Sequence, residues 1–281
     1  MILIADSGST KTDWCLLSEK NEIKKIRTSG INPFFQSETD ISSTIRNELI
    51  PHLSEIQGIE AIYYYGAGCS GQEINNRIIR SLQTHIPARQ IEVHSDLLGA
   101  ARALCGHTAG IAVILGTGSN SCLYNGEDII QHVAPLGFIL GDEGSGAALG
   151  KHLVADCLKG VLPATFKEQL LDYLHLSATH ILEKIYSQPY PNRFLASLTP
   201  FIHQNMDKTE IRHLVESEFS LFFERNISFY PNDITAIHAT GSIAYYFSDI
   251  WQTTAKKFGR EAGYILQSPL EGLISFHQYK Q

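Results

Sequence analysis

The sequence predicts an α/β protein built as two domains with a cleft between them. Three observations carry this. Strands and helices alternate along the chain, the pattern starts again near its middle, and each half opens with an apolar strand, a Gly/Ser/Thr turn and a returning strand. At 281 residues the chain is long for one domain and short for three.

The first half reads in order as follows. Ile2–Ala5 is a short apolar run closed by a Gly/Ser/Thr turn, and Asp13–Leu17 and Glu22–Arg27 are two further strands joined by a turn at Ser18–Asn21. Glu38–Leu49 places Ile41, Ile45 and Leu49 on one helical face. Ala61–Tyr65 is a buried strand, Gln72–Thr84 an amphipathic helix, Ile91–Val93 a strand, and Asp96–Leu104 a helix capped by Ser95 or Asp96. The boundary falls near Gly106–Gly110, which gives domains 1–107 and 108–267.

The second half opens with the strand Ile111–Leu115, a Gly-rich turn, the strand Ser121–Tyr124, a turn at Asn125-Gly126 and the strand Asp128–Val133. Helices then run from Gly146 to about Arg225, broken at Pro163, Pro189, Pro191 and Pro200. Ile234–Ala239 is a strand, Ile243–Trp251 a helix and Tyr264–Gln267 a strand. Leu270–Phe276 is a last amphipathic stretch.

Composition narrows the function classes. With 43% hydrophobic and 18% charged residues the chain can build a core, which excludes intrinsic disorder. A net charge of −7 without any basic run argues against a nucleic-acid or anionic-membrane partner. The five cysteines are scattered without a C-x-x-C pair, so neither a disulfide framework nor a cysteine zinc site is indicated. The opening apolar run is interrupted at Asp6, too early for a signal segment or a membrane span. The expectation is a soluble cytoplasmic protein. The twelve histidines are dispersed and read as surface or core residues rather than ligands.

Five loops carry the candidate chemistry. In Asp6-Ser7-Gly8-Ser9-Thr10-Lys11-Thr12, small residues after a strand let backbone N–H groups surround an anion, and Asp6 could hold Mg²⁺ through water. The alternative is a tight hairpin in which Asp6 only bonds turn amides. Gly116-Thr117-Gly118-Ser119-Asn120 occupies the same position in the second half, and the two hairpins could together clamp the phosphates of one nucleotide. Gly141-Asp142-Glu143-Gly144-Ser145-Gly146 offers two carboxylates to a polar ligand, or else caps the helix Ala147–Leu158 through Ser145 or Asp142. Asp96 after the strand Ile91–Val93 is placed either to take a proton from a substrate hydroxyl or to cap its own helix. Thr240-Gly241-Ser242 is a strand–turn–helix junction that could receive a ribose or an adenosine.

Taken together, these loops resemble the actin-like ATPase and sugar kinase superfamily with its two ribonuclease-H-like domains. Within it, the chain resembles the N-acetylglucosamine kinase and BadF/BadG-type ATPase group. The most specific piece is Gly116–Asn120 followed about twenty residues on by Leu140-Gly141-Asp142-Glu143-Gly144-Ser145-Gly146. The resemblance implies an ATP-dependent kinase, with Mg²⁺, that phosphorylates an amino sugar such as N-acetylglucosamine, N-acetylmuramic acid or glucosamine. It implies that Gly8, Ser9, Thr10 and Lys11 of one loop, and Gly116, Thr117, Gly118 and Ser119 of another, serve the ATP phosphates. Gly241 belongs to the adenosine loop. Asn32, Asp96, Gly141 and Asp142 are implied in sugar binding, with Asp96 as general base. A homodimer is expected on the same ground, as is a C-terminal helix over about 268–281 that returns to the first domain.

The positions after Asn32, Pro33-Phe34-Phe35, lack the tryptophan that some animal acetylhexosamine kinases carry there, and Ala134–Phe138 matches imperfectly. Both departures bear on which sugar is bound. Phosphoryl transfer needs positioning and charge stabilisation, and domain closure would keep water from competing as acceptor. Two other functions fit parts of the pattern. An activator ATPase of a radical dehydratase would need thiolates at an iron–sulfur cluster, and Cys69 is the loop cysteine that could serve. A sugar or nucleotide sensor would bind without turnover. The repressor-type sugar kinases are set aside, since neither a histidine–cysteine zinc motif nor an N-terminal helix-turn-helix is found.

Overall fold

A computed structural model describes residues 1–8, 10–18, 23–53 and 56–278. The chain forms two compact units, one of Met1–Thr108, Asn125–Ile129 and Ser268–Gln281, the other of Ala109–Tyr124 and Ile130–Gln267. The strands of the first are β1 (Ile2–Ser7), β2 (Lys11–Leu17), β3 (Ile23–Ser29), β4 (Ala61–Gly66) and β5 (Gln90–Ser95), with helices α1 (Glu38–Thr44), α2 (Gln72–Gln83) and α3 (Asp96–Cys105). The second sheet follows with β6 (Gly110–Leu115), β7 (Ser119–Tyr124) and β8 (Ile129–Val133). Helices α4 (Gly137–Leu140), α5 (Gly146–Lys159), α6 (Ala164–Leu174), α7 (Ala178–Tyr186), α8 (Pro191–Ala196), α9 (Thr199–Gln204) and α10 (Thr209–Arg225) come next. Then come β9 (Ala236–Thr240), α11 (Ser242–Tyr246), α12 (Ser248–Lys257), β10 (Glu261–Leu266) and, returning to the first unit, α13 (Leu270–Gln278).

The two sheets have the same topology. The first runs β3-β2-β1-β4-β5 and the second, written in the same sense, β8-β7-β6-β9-β10. In each the opening hairpin is antiparallel and the two later strands add in parallel. This is the repeated ribonuclease-H-like arrangement expected from two halves with matching strand–turn–strand openings.

In the first unit, the period-two alternation of strands sends side chains to two cores. Leu3, Ala5, Trp14 and Leu16 point to the face covered by Ile41 of α1 and by Ile78 and Leu82 of α2. Ile2, Ile4, Cys15 and Leu17 point to the other face, covered by Leu270, Leu273 and Ile274 of α13. Burial on both faces explains why β1 reads as a continuous apolar run. The second unit has one continuous core, where Ile111, Val113 and Leu115 of β6 meet Leu149 and Leu153 of α5, Phe219 and Phe222 of α10 and Trp251 of α12.

Several elements differ from expectation for local reasons. The helix expected over Glu38–Leu49 is α-helical only to Thr44, and then widens into a π-helical turn over Ile45–Leu49. Pro51 follows, and a residue without an N–H that also disfavours α geometry before it cannot extend the ladder. The helix expected over Ile243–Trp251 is two helices broken at Phe247 (φ −110°, ψ 29°), whose ring is buried. β10 starts at Glu261 rather than Tyr264, because pairing with β9 recruits Glu261 and Ala262, whose own strand preference is weak. The single turn α4 is too short to leave a periodic signal in the sequence. The prolines act as expected, with Pro163 preceding α6 and Pro191 and Pro200 in the first turns of α8 and α9. No helix among the described residues is long and apolar enough to cross a membrane.

Candidate functional site

In the first unit the candidate residues gather at the C-terminal end of β1. The hairpin pairs Asp6 with Asp13 and Ser7 with Thr12, and the turn closes through Gly8 N–H donating to Lys11 O at 2.9 Å. Ser9 lies outside the described residues. Thr10 is exposed, and its carbonyl accepts the Gly30 N–H at 3.1 Å, which ties the turn to the segment that leads to Asn32. The buried hydroxyls of Ser7 and Tyr64 donate to Ile31 O at 3.0 and 3.3 Å. Asn32 is itself buried, its Oδ1 accepting the Phe34 N–H at 3.0 Å. Hairpin, Asn32 segment and β4 are thus joined by hydrogen bonds.

Electrostatics mark this corner. Lys11 Nζ and Arg27 Nε sit 2.7 and 2.6 Å from the Asp13 carboxylate. Against the burial that would raise it, those two partners hold Asp13 below the usual carboxylate range. Among the described residues Asp6 has no such pair. Burial, then the charges of Asp13 and Asp96, push its carboxyl up to about 7, with Lys11 and the Ser268 hydroxyl opposing. Burial also raises Asp96, against the Leu97 N–H that donates to its Oδ1 at 2.9 Å. Ser95, not Asp96, is the cap of α3, since its Oγ accepts the Leu98 N–H. That leaves Asp96 as the first helical residue, at the C-terminal end of β5.

In the second unit three loops meet where β6 ends. The β6–β7 turn, at the same place in its sheet as the first hairpin, closes through Gly116 N–H to Gly118 O at 2.9 Å, one residue tighter than the Gly8–Lys11 bond. The Gly141–Gly146 loop is hydrogen-bonded to that turn, with Gly146 N–H to Gly116 O at 2.8 Å and Ala147 N–H to Thr117 O at 3.1 Å. Asp142 completes the junction, its Oδ1 accepting the Ser119 N–H at 3.3 Å. A Cβ on Gly118 would stand 3.0 Å from the Asp142 carboxylate, so the turn is glycine where the acid approaches it. The β9–α11 junction closes the third side. Gly241, at φ +111°, lies so near β6 that a Cβ would stand 2.3 Å from Leu115 O. Thr117 is exposed.

Gly141 donates its N–H to Gly137 O at 2.8 Å, ending α4, and Asp142 donates to Pro135 O at 2.9 Å. Asp142 adopts φ 55° and is 9% exposed. Burial pushes its carboxyl up to about 6, with the Ser119 N–H opposing and Glu143 adding to the rise. Ser145 caps α5, accepting the Ala148 N–H at 3.1 Å, which leaves Asp142 free of a capping role.

Sequence reasoning does not assign a part to Asp13, Tyr64 or Glu218. Asp13 is legible once the hairpin register opposes it to Asp6. Tyr64 and Glu218 act from strand and helix interiors, where a polar tip on a buried residue has no sequence signature. The five cysteines are all buried. Burial, and then the charge of Asp96, push the Cys69 thiol up to about 12, so it packs as a small neutral residue rather than offering a thiolate. Among the described residues no group of three or more His, Cys, Asp or Glu could hold a metal ion.

Neither protein-family models nor curated protein sequences give a match to the chain. Solved structures do. A protein from Porphyromonas gingivalis, provisionally named an N-acetylglucosamine kinase, superposes with a TM-score of 0.96 at 45% identity, covering 99% of both chains. One from Chromobacterium violaceum with the same provisional name gives 0.75 at 16% identity, covering 98% of each chain. A ROK-family glucokinase from Streptomyces griseus, solved with glucose and AMPPNP, gives 0.58 at 15% identity over 99% of this chain and 98% of its own. The last two show the shared fold.

Proposed function

Because the chain belongs to the N-acetylglucosamine kinase group of the actin-like ATPase and sugar kinase superfamily, we propose that it transfers a phosphoryl group from ATP to a hydroxyl of an amino sugar, N-acetylglucosamine or a related N-acetylhexosamine. The observation that carries the reading is the hydrogen-bonded junction at the end of β6. There a phosphate-type turn, an acid-bearing loop and the Gly241 junction are built as one piece, in a chain 45% identical to its Porphyromonas relative.

The roles follow from residue chemistry. Thr10 and Thr117 are exposed residues at equivalent places in the two halves, and their hydroxyls are suited to donate to phosphate oxygens. Asn32 and Asp96 in the first unit, and Asp142 in the second, each offer a hydrogen-bond partner suited to sugar hydroxyls. Asp96, raised by burial, is the base that receives the hydroxyl proton as transfer proceeds. Asp6 fits a magnesium ion. It is a hard oxygen donor whose carboxyl is pushed to about 7 by burial and by neighbouring negative charge, an imbalance that a divalent cation relieves. Such an ion, when bound, neutralises charge on phosphate oxygens.

The test is a panel of sugars with ATP, scored for phosphorylated product. N-acetylglucosamine or a close N-acetylhexosamine should be the preferred acceptor, with ADP released in step. Asp96→Asn should lower kcat by on the order of 10²–10⁴ on that sugar. ATP turnover unaffected by every amino sugar would sink the kinase reading, and an Asp96→Asn enzyme of normal kcat would sink the base.

A further inference from the structure

We propose that Glu218 is a positioning residue that holds the Gly141–Gly146 loop, and Asp142 with it, in the arrangement that binds the sugar; this rests on the kinase reading above. Glu218 lies mid-way along α10 on a face otherwise made of Leu214, Val215, Phe219 and Phe222, and is 2% exposed. A carboxylate in such surroundings is costly unless both oxygens are engaged. Here Oε2 accepts the Gly144 N–H at 3.2 Å, and Oε1, which has no hydrogen-bond partner of good geometry among the described residues, is met by Nδ1 of His152 on α5 as a charge partner. The adjacent Glu218 carboxylate raises His152 against its partial burial. One buried acid therefore joins α10 to the loop and to the helix that the loop starts.

The loop has need of such a brace. Asp142 is held in the left-handed region at φ 55°, a conformation that Asp tolerates better than most side chains but that still costs free energy. The backbone bonds at Asp142 are short-range, to Pro135 O on one side and from Ser145 N–H on the other, and its side chain is held from beyond the loop by the Ser119 N–H at 3.3 Å. Arg225 and Asn226 at the end of α10 reach Glu143 only at 3.4 Å. Glu218 anchors the turn between these, two residues from Asp142. The Gly116–Ser119 turn makes no bond to Glu218, keeps its own Gly116–Gly118 closure, and meets the loop only through Asp142, Gly146 and Ala147. Loss of Glu218 should therefore act on the sugar more than on ATP.

The experiment compares wild type, Glu218→Leu and Glu218→Gln. Leucine fills the same volume without an acceptor, whereas glutamine keeps an oxygen for the Gly144 N–H. Initial rates are measured with N-acetylglucosamine and ATP varied in turn, and amide hydrogen exchange is followed over residues 141–146. Glu218→Leu should raise the sugar KM about ten-fold or more, keep the ATP KM within about two-fold, and speed exchange in the loop. Glu218→Gln should stay near wild type in all three. A wild-type sugar KM in Glu218→Leu, or equal impairment in Glu218→Gln, overturns the proposal. If the leucine variant does not fold, Glu218→Met, also without an acceptor oxygen, takes its place. A wild-type protein that phosphorylates no amino sugar overturns the kinase reading instead. In that event unchanged loop exchange in Glu218→Leu also overturns the brace, and faster exchange supports it as a loop anchor.

Discussion

At the scale of single residues, Asp142 shows how position decides chemistry. Its carboxyl lies near 6 in the folded protein against about 4 in an unfolded chain. Between those values the folded state keeps a proton that the unfolded state has lost, so stability falls as pH rises through this window. Asp142→Asn, which still offers an oxygen to the Ser119 N–H, removes that dependence. Its stability relative to wild type should increase between about pH 4 and pH 7 by on the order of 1–3 kcal/mol, read from urea unfolding at each pH. A gap that stays flat across this range would show that the carboxylate is not destabilised by its burial. Asp142 was legible as a candidate because two acids stood between glycines. That it is buried and left-handed was not, since both follow from the β6–β7 turn and from Pro135.

At the scale of elements, the hairpins and their matching turns were readable. An apolar run, a Gly/Ser/Thr turn and a returning run specify a hairpin through local geometry alone. The close approach of Gly241 to β6 was not, because it joins residues more than a hundred positions apart. Gly241→Ala would put a Cβ 2.3 Å from Leu115 O on a backbone at φ +111°. The expected loss is roughly 2–4 kcal/mol of stability, with a raised KM for ATP, measured by denaturant unfolding and by kinetics. Unchanged values for both would mean that the junction is slack. The π-helical turn at Ile45–Leu49 follows the same division: Pro51 announces that the helix must end, and the packing of Ile45 and Leu49 into the first core determines how.

At the scale of the whole chain, the first unit is completed by the last residues. α13 covers the face of β1 and β2 that carries Ile2, Ile4, Cys15 and Leu17, and Leu273 at its centre is fully buried. Where Gly272 passes α3, a Cβ would stand 2.2 Å from Ala103 O. Leu273→Ala should therefore destabilise this unit by about 2–5 kcal/mol in urea unfolding. A loss below about 1 kcal/mol would show that α13 is a surface appendage.

By itself the sequence determined the class of fold, the repeated strand–turn–strand openings and the loops that carry the acids. Each of these rests on interactions within a few residues: side-chain period, turn chemistry, caps and prolines. The tertiary structure alone decided what those loops touch. The tie between Gly146 and Gly116, the Ser119 amide on Asp142, the Ser7 and Tyr64 hydroxyls on the Ile31 carbonyl and the buried Glu218 on the Gly144 amide all join segments distant in sequence. Their partners are backbone amides and carbonyls, which every residue carries alike. A pattern of side chains cannot show which amide a buried acid will meet.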